Sequence, residues 1–330
     1  MLIIENLVIR NYRLFRHAEI ANLSPLSVFV GANGSGKSTL FDVFSFLKEA
    51  LTQNVAQAVG RRGGFRELVS RGQEGPIAIE IKFRESSGRL ATYSLAIASD
   101  EGRIVVDREV LKFRRGQYGQ PWHFVDFSRG RGTAITNEAV YGKADAKADR
   151  KEYVLDDASV LAIKGLGQFK EFRVVAEFRS LIENWHVAPN TEGKAKNASM
   201  RCEDVSRGEV KKLALLDLLH DPKPFSLLSL DTPECHLYPD LLADLAEELQ
   251  EYARHRGQVL LSTHSPEFLN SMRLQEVFWL VKEKGFSTVR RAGDSTLLQR
   301  LMEEGDLPGS LWMQGLFEAA GVRHLARAEG

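Results

Sequence analysis

The chain has 330 residues, 43% apolar and 27% charged, the usage of a folded globular protein rather than a disordered or fibrous one. The 44 basic residues balance 44 acidic ones, which excludes a globally basic nucleic-acid protein but leaves room for a local basic face. Cys202 and Cys235 are the only cysteines, too few for a disulfide framework or a four-cysteine zinc site, and no apolar run reaches the ~18 residues of a membrane helix.

The first segment, MLIIENLVIRNYRLF, carries Glu5 and Arg10 within its apolar pattern and no small-residue cleavage site. It therefore reads as a strand rather than a leader, and the expectation is a cytoplasmic protein with no membrane partner. Leu2, Ile4, Leu7 and Ile9 carry that strand, Arg10-Asn11-Tyr12-Arg13 follows, and Ala18-Glu19-Ile20 reads as a second strand. Leu26 to Val30, bounded by Pro25 and Gly31, suits a buried strand. Thr39 to Ala58 has helical spacing, with Leu40, Val43, Phe44, Leu47 and Leu51 on one face, and Gly60 to Gly75 reads as loop.

From Pro76 to Phe113 the pattern switches to period two, through Ile77-Ile79-Ile81-Phe83, Tyr93-Leu95-Ile97 and Ile104-Val106. Turn signals at Ser87-Gly88 and Asp100-Glu101-Gly102 make this an antiparallel meander. Gln117 to Gly142 shows little periodicity. Lys143 to Glu152 holds seven charges in ten residues and reads as an exposed arm, residues 155–187 read as helical, and Asn190 to Asn197 as loop.

The last third is the most regular. Gly208 to His220 reads as a helix, Phe225 to Leu230 as a strand, and Pro239 to Arg256 as an amphipathic helix with Leu241, Leu242, Leu245, Leu249 and Tyr252 on one face. Gly257 ends it, Val259-Leu260-Leu261 is another strand, and Val277 to Val281 and Ser287 to Arg290 are expected at sheet edges. No internal repeat is visible. The strand–helix pattern of the first 60 residues thus returns only after the meander and a helical insertion. The reading is one domain over 1–330, divided into 1–60, 61–135, 136–205 and 206–330.

Gly31-Ala32-Asn33-Gly34-Ser35-Gly36-Lys37-Ser38 matches GxxxxGK[ST], after an apolar strand and opening a helix that continues with Thr39. The glycines let backbone N–H groups turn inward toward phosphate oxygens, and the helix N-terminus adds roughly half a positive charge. Lys37 is the residue for the β- and γ-phosphates and Ser38 for Mg²⁺. A solvated Gly/Ser turn is the plain alternative. Downstream, Phe225 to Asp231 is an apolar strand ending in a carboxylate, which places Asp231 to hold Mg²⁺ through its water shell opposite Ser38. Leu260-Leu261-Ser262-Thr263-His264-Ser265-Pro266 then puts a histidine at the end of the next strand, within reach of a γ-phosphate or its attacking water. Upstream, Ser206 and Glu209 in Val205-Ser206-Arg207-Gly208-Glu209 form a capping box, S-x-x-E. The same stretch also reads as a signature loop whose Ser206, Gly208 and helix N-terminus engage a second protomer's γ-phosphate.

This order of phosphate loop, long insertion, VSRGE, LSLDTPECHLYP and LLSTHSPEFL resembles the ABC-type ATPases of the RecF/SMC/OLD branch. It is most like bacterial "AAA family ATPases" that carry I-E-E-P-E-N-G-L-H-P and T-T-H-S-P, and the likeness runs from Asn11-Tyr12-Arg13 to the tail Leu311-Trp312 and Gly315-Leu316. The resemblance implies an α/β P-loop NTPase of ABC-ATPase head type, with a mixed central sheet, an antiparallel β meander and a helical insertion. It implies ATP and Mg²⁺ as ligands, and a head-to-tail homodimer around two ATPs. It also implies DNA, or an effector nuclease or toxin chain, as partner.

The departures are specific. The family's acidic pair is Asp231-Thr232 here, and a threonine is no general base at neutral pH. Glu234 stands at the later glutamate of the family stretch and is the candidate substitute, so slow hydrolysis is expected. Cys235, His236 and Tyr238 also depart from the pattern, and Glu209 near a γ-phosphate is repulsive unless tied back to Ser206. Gln73 is the candidate Q-loop glutamine, and Arg13 a candidate contact to adenine or phosphate. Arg61, Arg62, Arg66 and Arg71, and Arg114, Arg115, Arg129 and Arg131 near Tyr118, Trp122 and Phe124, read as an ordinary solvated face or as a nucleic-acid contact. A nucleotide-dependent scaffold with negligible hydrolysis, a transporter subunit and a small-molecule kinase are the competing classes. His264, the signature-like loop and the large insertion disfavour the last two.

Overall fold

The computed structural model describes residues 2–85, 90–114, 121–138, 149–187 and 207–319, the side chains of 207–210 excepted. In chain order the elements are β1 (Leu2–Tyr12), β2 (Phe15–Ile20), β3 (Leu26–Gly31), α1 (Lys37–Thr52), α2 (Val55–Gly60), α3 (Phe65–Leu68), β4 (Ile77–Glu85), β5 (Leu90–Asp100) and β6 (Arg103–Phe113). Then follow β7 (Trp122–Ser128), β8 (Arg131–Ile135), β9 (Arg150–Val154), α4 (Ala162–Leu166), α5 (Arg173–Glu183), β10 (Trp185–Val187), α6 (Arg207–His220) and β11 (Leu227–Asp231). The chain continues through α7 (Leu242–His255), β12 (Gln258–Ser262), α8 (Pro266–Asn270), β13 (Val277–Glu283), β14 (Phe286–Arg291), α9 (Thr296–Glu303) and α10 (Pro308–Met313). Two compact units form, one from residues 1–22, 42–185 and 284–287, the other from 23–41, 186–283 and 288–330.

The first unit is built on an eight-stranded sheet in the order β2-β1-β4-β5-β6-β7-β8-β9, antiparallel throughout. Alternation dictates it: Ile77, Ile79, Ile81 and Phe83 are all buried along β4, while the residues between them are not. The amphipathic α5 covers that buried face, with the Phe178 ring centroid 5.3 Å from those of both Phe83 and Tyr93. The meander extends further than its sequence suggested. Residues 117–142, which lack long periodicity, contain β7 and β8, and part of the charged arm becomes the exposed edge strand β9. The reason is a tight turn at Arg129-Gly130, both in the left-handed region (φ 50° and 76°), as a two-residue hairpin needs. The Ser87-Gly88 turn and most of the arm lie outside the described residues.

Two helical readings and one loop reading need correction. The helix expected from Thr39 to Ala58 is two helices, because the Asn54 side chain accepts from Gln57 N (2.8 Å) and starts α2 anew. The Lys164 ammonium meanwhile closes the end of α1 on the Thr52 and Gln53 carbonyls. The loop expected over Gly60 to Gly75 contains the short α3 and is fastened to the end of β1: Asn11, at φ 58°, donates to the Gly75 and Pro76 carbonyls and accepts from Ser70 N. Residues 155–187 are helical only in α4 and α5, with β10 closing the stretch.

In the second unit a six-stranded sheet runs β10-β11-β12-β3-β13-β14, with β11, β12, β3 and β13 mutually parallel. Strands buried on both faces read as continuous apolar runs, and Leu227-Leu228, Val259-Leu260-Leu261 and Val28-Phe29-Val30 do. For that reason β13 (Val277-Phe278-Trp279-Leu280) is internal, parallel to β3, and not the edge strand its sequence had suggested; β14 takes the edge. The amphipathic segment from Pro239 begins as a short 3-10 turn before α7, which buries Leu245, Leu249 and Tyr252 against the sheet core. Its stop is steric: a Cβ at Gly257 would sit 2.1 Å from the Phe225 carbonyl, which already accepts the Tyr252 hydroxyl at 2.8 Å.

One buried charge marks the first unit. Glu109 on β6 has no solvent exposure; it accepts from the Tyr93 hydroxyl (3.0 Å) and from the amides of Ala162 and Ile163 at the start of α4. Burial raises its carboxyl to about 7, against the opposing pull of those hydrogen bonds. A raised carboxyl binds its proton more tightly folded than unfolded. Its contribution is therefore complete below the unfolded value and is lost as pH climbs through about 7. In urea titrations, wild type is expected to lose on the order of 3 kcal/mol relative to Glu109→Gln between pH 5 and 8. A pH-independent difference would remove the assignment.

Candidate nucleotide-binding site

The second unit brings the phosphate loop and the ends of β11 and β12 together. The loop leaves β3 at Gly31 and enters α1 at Lys37, and Gly34 and Gly36 take φ of 77° and 107°, open to glycine alone without strain. Gly31 is required for a different reason. A Cβ there would lie 2.5 Å from Ser35 Oγ and 2.9 Å from the Leu280 carbonyl on β13, so the strand and loop close on a position with no side chain. Within the loop Ser35 N donates to Ala32 O (3.1 Å) and Leu40 N to Gly36 O (2.9 Å), which shapes the first turn of α1. Asn33 and Ser38 are exposed, Thr39 is half-buried, and Ser35 and Gly36 are buried.

Lys37 is buried, and its ammonium donates to the Gly31 (2.6 Å) and Ala32 (3.2 Å) carbonyls. Burial lowers its pKa, and the carboxylate of Asp231 opposes that shift. A cation folded back on loop carbonyls next to a helix N-terminus is a ready-made anion contact.

Asp231 is the hinge of the site. Its Oδ2 accepts the Ser38 hydroxyl at 3.1 Å, and its Oδ1 accepts the Ser262 hydroxyl. Parallel pairing puts Asp231 opposite Ser262 in the β11–β12 register, so one sheet step fixes the contact. Hard oxygen donors of this kind suit Mg²⁺. Ser38 Oγ and Asp231 Oδ2 lie 3.1 Å apart, so the two oxygens fit one ion, the hydroxyl as ligand and the carboxylate through the ion's water shell.

Beyond Asp231 the chain turns sharply. Thr232 has φ 48°, a conformation that costs a β-branched residue roughly 1–3 kcal/mol. One three-centre bond holds it there, Thr232 N donating to both the carbonyl (3.2 Å) and the hydroxyl (3.1 Å) of Ser262. Lys211 on α6 adds a second restraint by donating to the Thr232 (3.3 Å) and Cys235 (2.8 Å) carbonyls. Burial lowers the pKa of Lys211, and Cys235 and Glu234 oppose that shift.

Glu234 turns into the protein. It is buried, and its Oε1 accepts the Thr263 hydroxyl (2.7 Å) and the His264 amide (3.1 Å). The carboxylate considered as a substitute base thus anchors the backbone that carries His264. The His264 side chain is exposed, and Ser265 behind it caps α8 by accepting from Phe268 N. Among the described residues no group of three or more histidine, cysteine or acidic side chains is placed to hold a further metal ion.

Ser206 lies outside the described residues, and Gly208 is described only as backbone within α6. Arg13 and Gln73 belong to the other unit. There Arg13 pairs with Asp42 (3.0 Å), in a cluster with the Tyr12 hydroxyl (2.6 Å) and Arg62 (2.8 Å), while the Gln73 amide donates to the neighbouring Gly72 carbonyl. Ser262 and Lys211 were not singled out from sequence. Their signal was present in LLSTHSP and VSRGEVKKL, but only the strand register and the helix packing reveal what each one holds.

Against known proteins, residues 2–177 match the family model described as AAA ATPase domain, and residues 197–270 match an AAA domain model named for the AbiEii toxin of type IV toxin–antitoxin systems. No curated protein matches the chain. Among solved structures, the Smc head domain with an extended coiled coil bound to the C-terminal domain of ScpA, from Pyrococcus furiosus, aligns over 93% of this chain and 100% of its own, at 14% identity and a TM-score of 0.51. The SMC head domain from Thermotoga maritima aligns over 87% of this chain and 98% of its own, at 17% identity and a TM-score of 0.43. The first of these carries the fold, a P-loop ATPase head, and nothing finer.

Lys37→Ala removes a buried cation and its charge-assisted hydrogen bonds, each contributing about 1.5–3 kcal/mol. Calorimetric titration with ATP–Mg²⁺ is expected to show affinity reduced about 100-fold; an unchanged Kd would displace the site from this loop.

Proposed function

The chain belongs to the AAA ATPase domain family, and on that footing we propose that it binds ATP–Mg²⁺ between the Gly31–Thr39 loop and Asp231 and hydrolyses it slowly. The observation that carries the reading is the Ser38–Asp231–Ser262 chain of hydrogen bonds beside Lys37. In this reading the loop amides, the α1 N-terminus and Lys37 bind phosphate oxygens, and Ser38 and Asp231 hold Mg²⁺. When bound, the metal neutralises charge on the β- and γ-phosphates. His264, at the end of the β12 strand, faces the γ-phosphate or the water that attacks it.

The slow rate follows from Thr232. A general base near the reacting water contributes roughly 10²–10⁴-fold; Thr232 supplies none, and Glu234 is turned into the protein, with Oε1 bound to Thr263 and the His264 amide and Oε2 buried. A Thr232→Glu variant is expected to raise steady-state ATP turnover about tenfold or more. A wild type that is already fast and insensitive to this change would overturn the assignment. Thr232 in place of an acidic residue also favours a second reading, in which nucleotide stays bound and assembly is the output. That reading predicts no measurable phosphate release from wild type.

We further propose that two copies engage head to tail on ATP, with Ser206 and Gly208 of one closing the site of the other. DNA processing or control of an effector chain would be the output. The match over residues 197–270 to the model named for a toxin–antitoxin protein supports the effector branch. In sedimentation velocity, ATP–Mg²⁺ is expected to convert monomer to dimer, with Ser206→Arg blocking the conversion. A sedimentation coefficient indifferent to nucleotide would reject the dimer.

A further inference from the structure

In the second unit a groove of about 340 Å³ runs between α6 and the segment leading into α7. Its apolar lining is five leucines: Leu215 and Leu216 from α6, and Leu237, Leu241 and Leu245 from the opposite wall. Its margin is charged and one-sided. Asp244, Glu247 and Glu248 face a single cation, Lys212. Glu248 has His220 at 3.6 Å, whereas Asp244 and Glu247 make no ion pair among the described residues. The apolar surface also continues on the same two walls outside the groove, at Leu213 (64% exposed) and Tyr238 (57% exposed). Leu215 and Leu245 are buried, but Leu216, Leu237 and Leu241 stay half-buried beside the unpaired carboxylates of Asp244 and Glu247, which makes an unfinished interface.

We propose that this groove docks an amphipathic helix of a partner protein, one that lays an apolar stripe on the leucines and a row of Lys or Arg along the acidic margin. Charge complementarity selects the occupant. An acidic or neutral helix leaves Asp244 and Glu247 unpaired. The chain's own amphipathic α5 is a poor occupant, since it pairs its own charges, Arg173 with Glu177 and Arg179 with Glu183. Each wall of the groove also leads back to the candidate nucleotide site. On α6, Lys211 holds the Thr232 and Cys235 carbonyls, and on the other wall Leu237 N bonds Glu234 O at 3.0 Å. A docked helix therefore bears on the segment that positions Asp231. The surface itself does not depend on hydrolysis.

The test uses full-length protein without nucleotide and a fluorescein-labelled leucine–lysine helical peptide of about 14 residues, roughly four turns. A leucine–glutamate peptide of the same pattern is the counter-probe. Anisotropy is expected to show saturable binding of the lysine peptide alone. The double charge reversal Asp244→Lys with Glu247→Lys, and separately Leu216→Glu, are each expected to weaken it about tenfold or more. The reversal is confined to the groove margin, so it remains informative if Leu216→Glu fails to fold. Equal binding of both peptides, or an affinity unmoved by the charge reversal, would overturn the proposal. So would a benzoylphenylalanine-bearing lysine peptide that crosslinks outside α6 and residues 237–248. Adding ATP–Mg²⁺ must leave the requirement for the acidic margin intact; a nucleotide effect on affinity then reports coupling and not the site.

Discussion

A carboxylate held by two hydroxyls organises the nucleotide unit. Asp231 accepts from Ser38, at the start of the first helix, and from Ser262, at the end of the neighbouring strand. These residues are far apart in the chain, and only a parallel sheet with β3 beside β12, and β12 beside β11, brings their strand ends to one edge. Each hydrogen bond contributes on the order of 1 kcal/mol. Neither could hold the arrangement alone; the buried strands beneath them do, and the hydroxyls set the final orientation of the carboxylate. The same edge is where open parallel sheets generally present ligands.

The segment after Asp231 shows how strain is maintained. Thr232 sits in a left-handed conformation at a cost of roughly 1–3 kcal/mol. One bifurcated hydrogen bond from Thr232 N to the Ser262 carbonyl and hydroxyl, at ~0.5–1.5 kcal/mol, and the charged one from Lys211, worth more, offset a cost of that size. The turn is thus held from β12 and from α6 together. Glu234 completes the fastening by tying the same loop to Thr263 and to the backbone of His264. A loop restrained in this way couples anything that displaces α6 to the position of Asp231.

The antiparallel unit rests on different physics. Its strands are held by alternation, one face apolar and covered, the other polar. Into that apolar face it sets one acid, Glu109, which spends its oxygens on a tyrosine hydroxyl and on the free amides at the start of α4. A short helix of this kind has little intrinsic stability. Its placement depends on the buried carboxyl, so the acid specifies geometry more than it adds net free energy.

Much of this was legible in the amino-acid order, because some signals are local. The phosphate loop needs glycines, lysine and serine at fixed spacing. A buried strand needs an unbroken apolar run, and a meander strand needs period two; the chain shows each openly at Gly31–Ser38, Leu227–Asp231 and Ile77–Phe83. What local order could not determine was anything set by a distant partner. The break after Thr52 depends on an asparagine cap against a continuing apolar pattern, and β7 and β8 depend on a two-residue turn within an unpatterned stretch. The inward turn of Glu234, the grip of Lys211 and the internal place of β13 depend on which strand lies beside which. Spacing along one element is written in its own residues, whereas register between elements is the outcome of packing the whole unit.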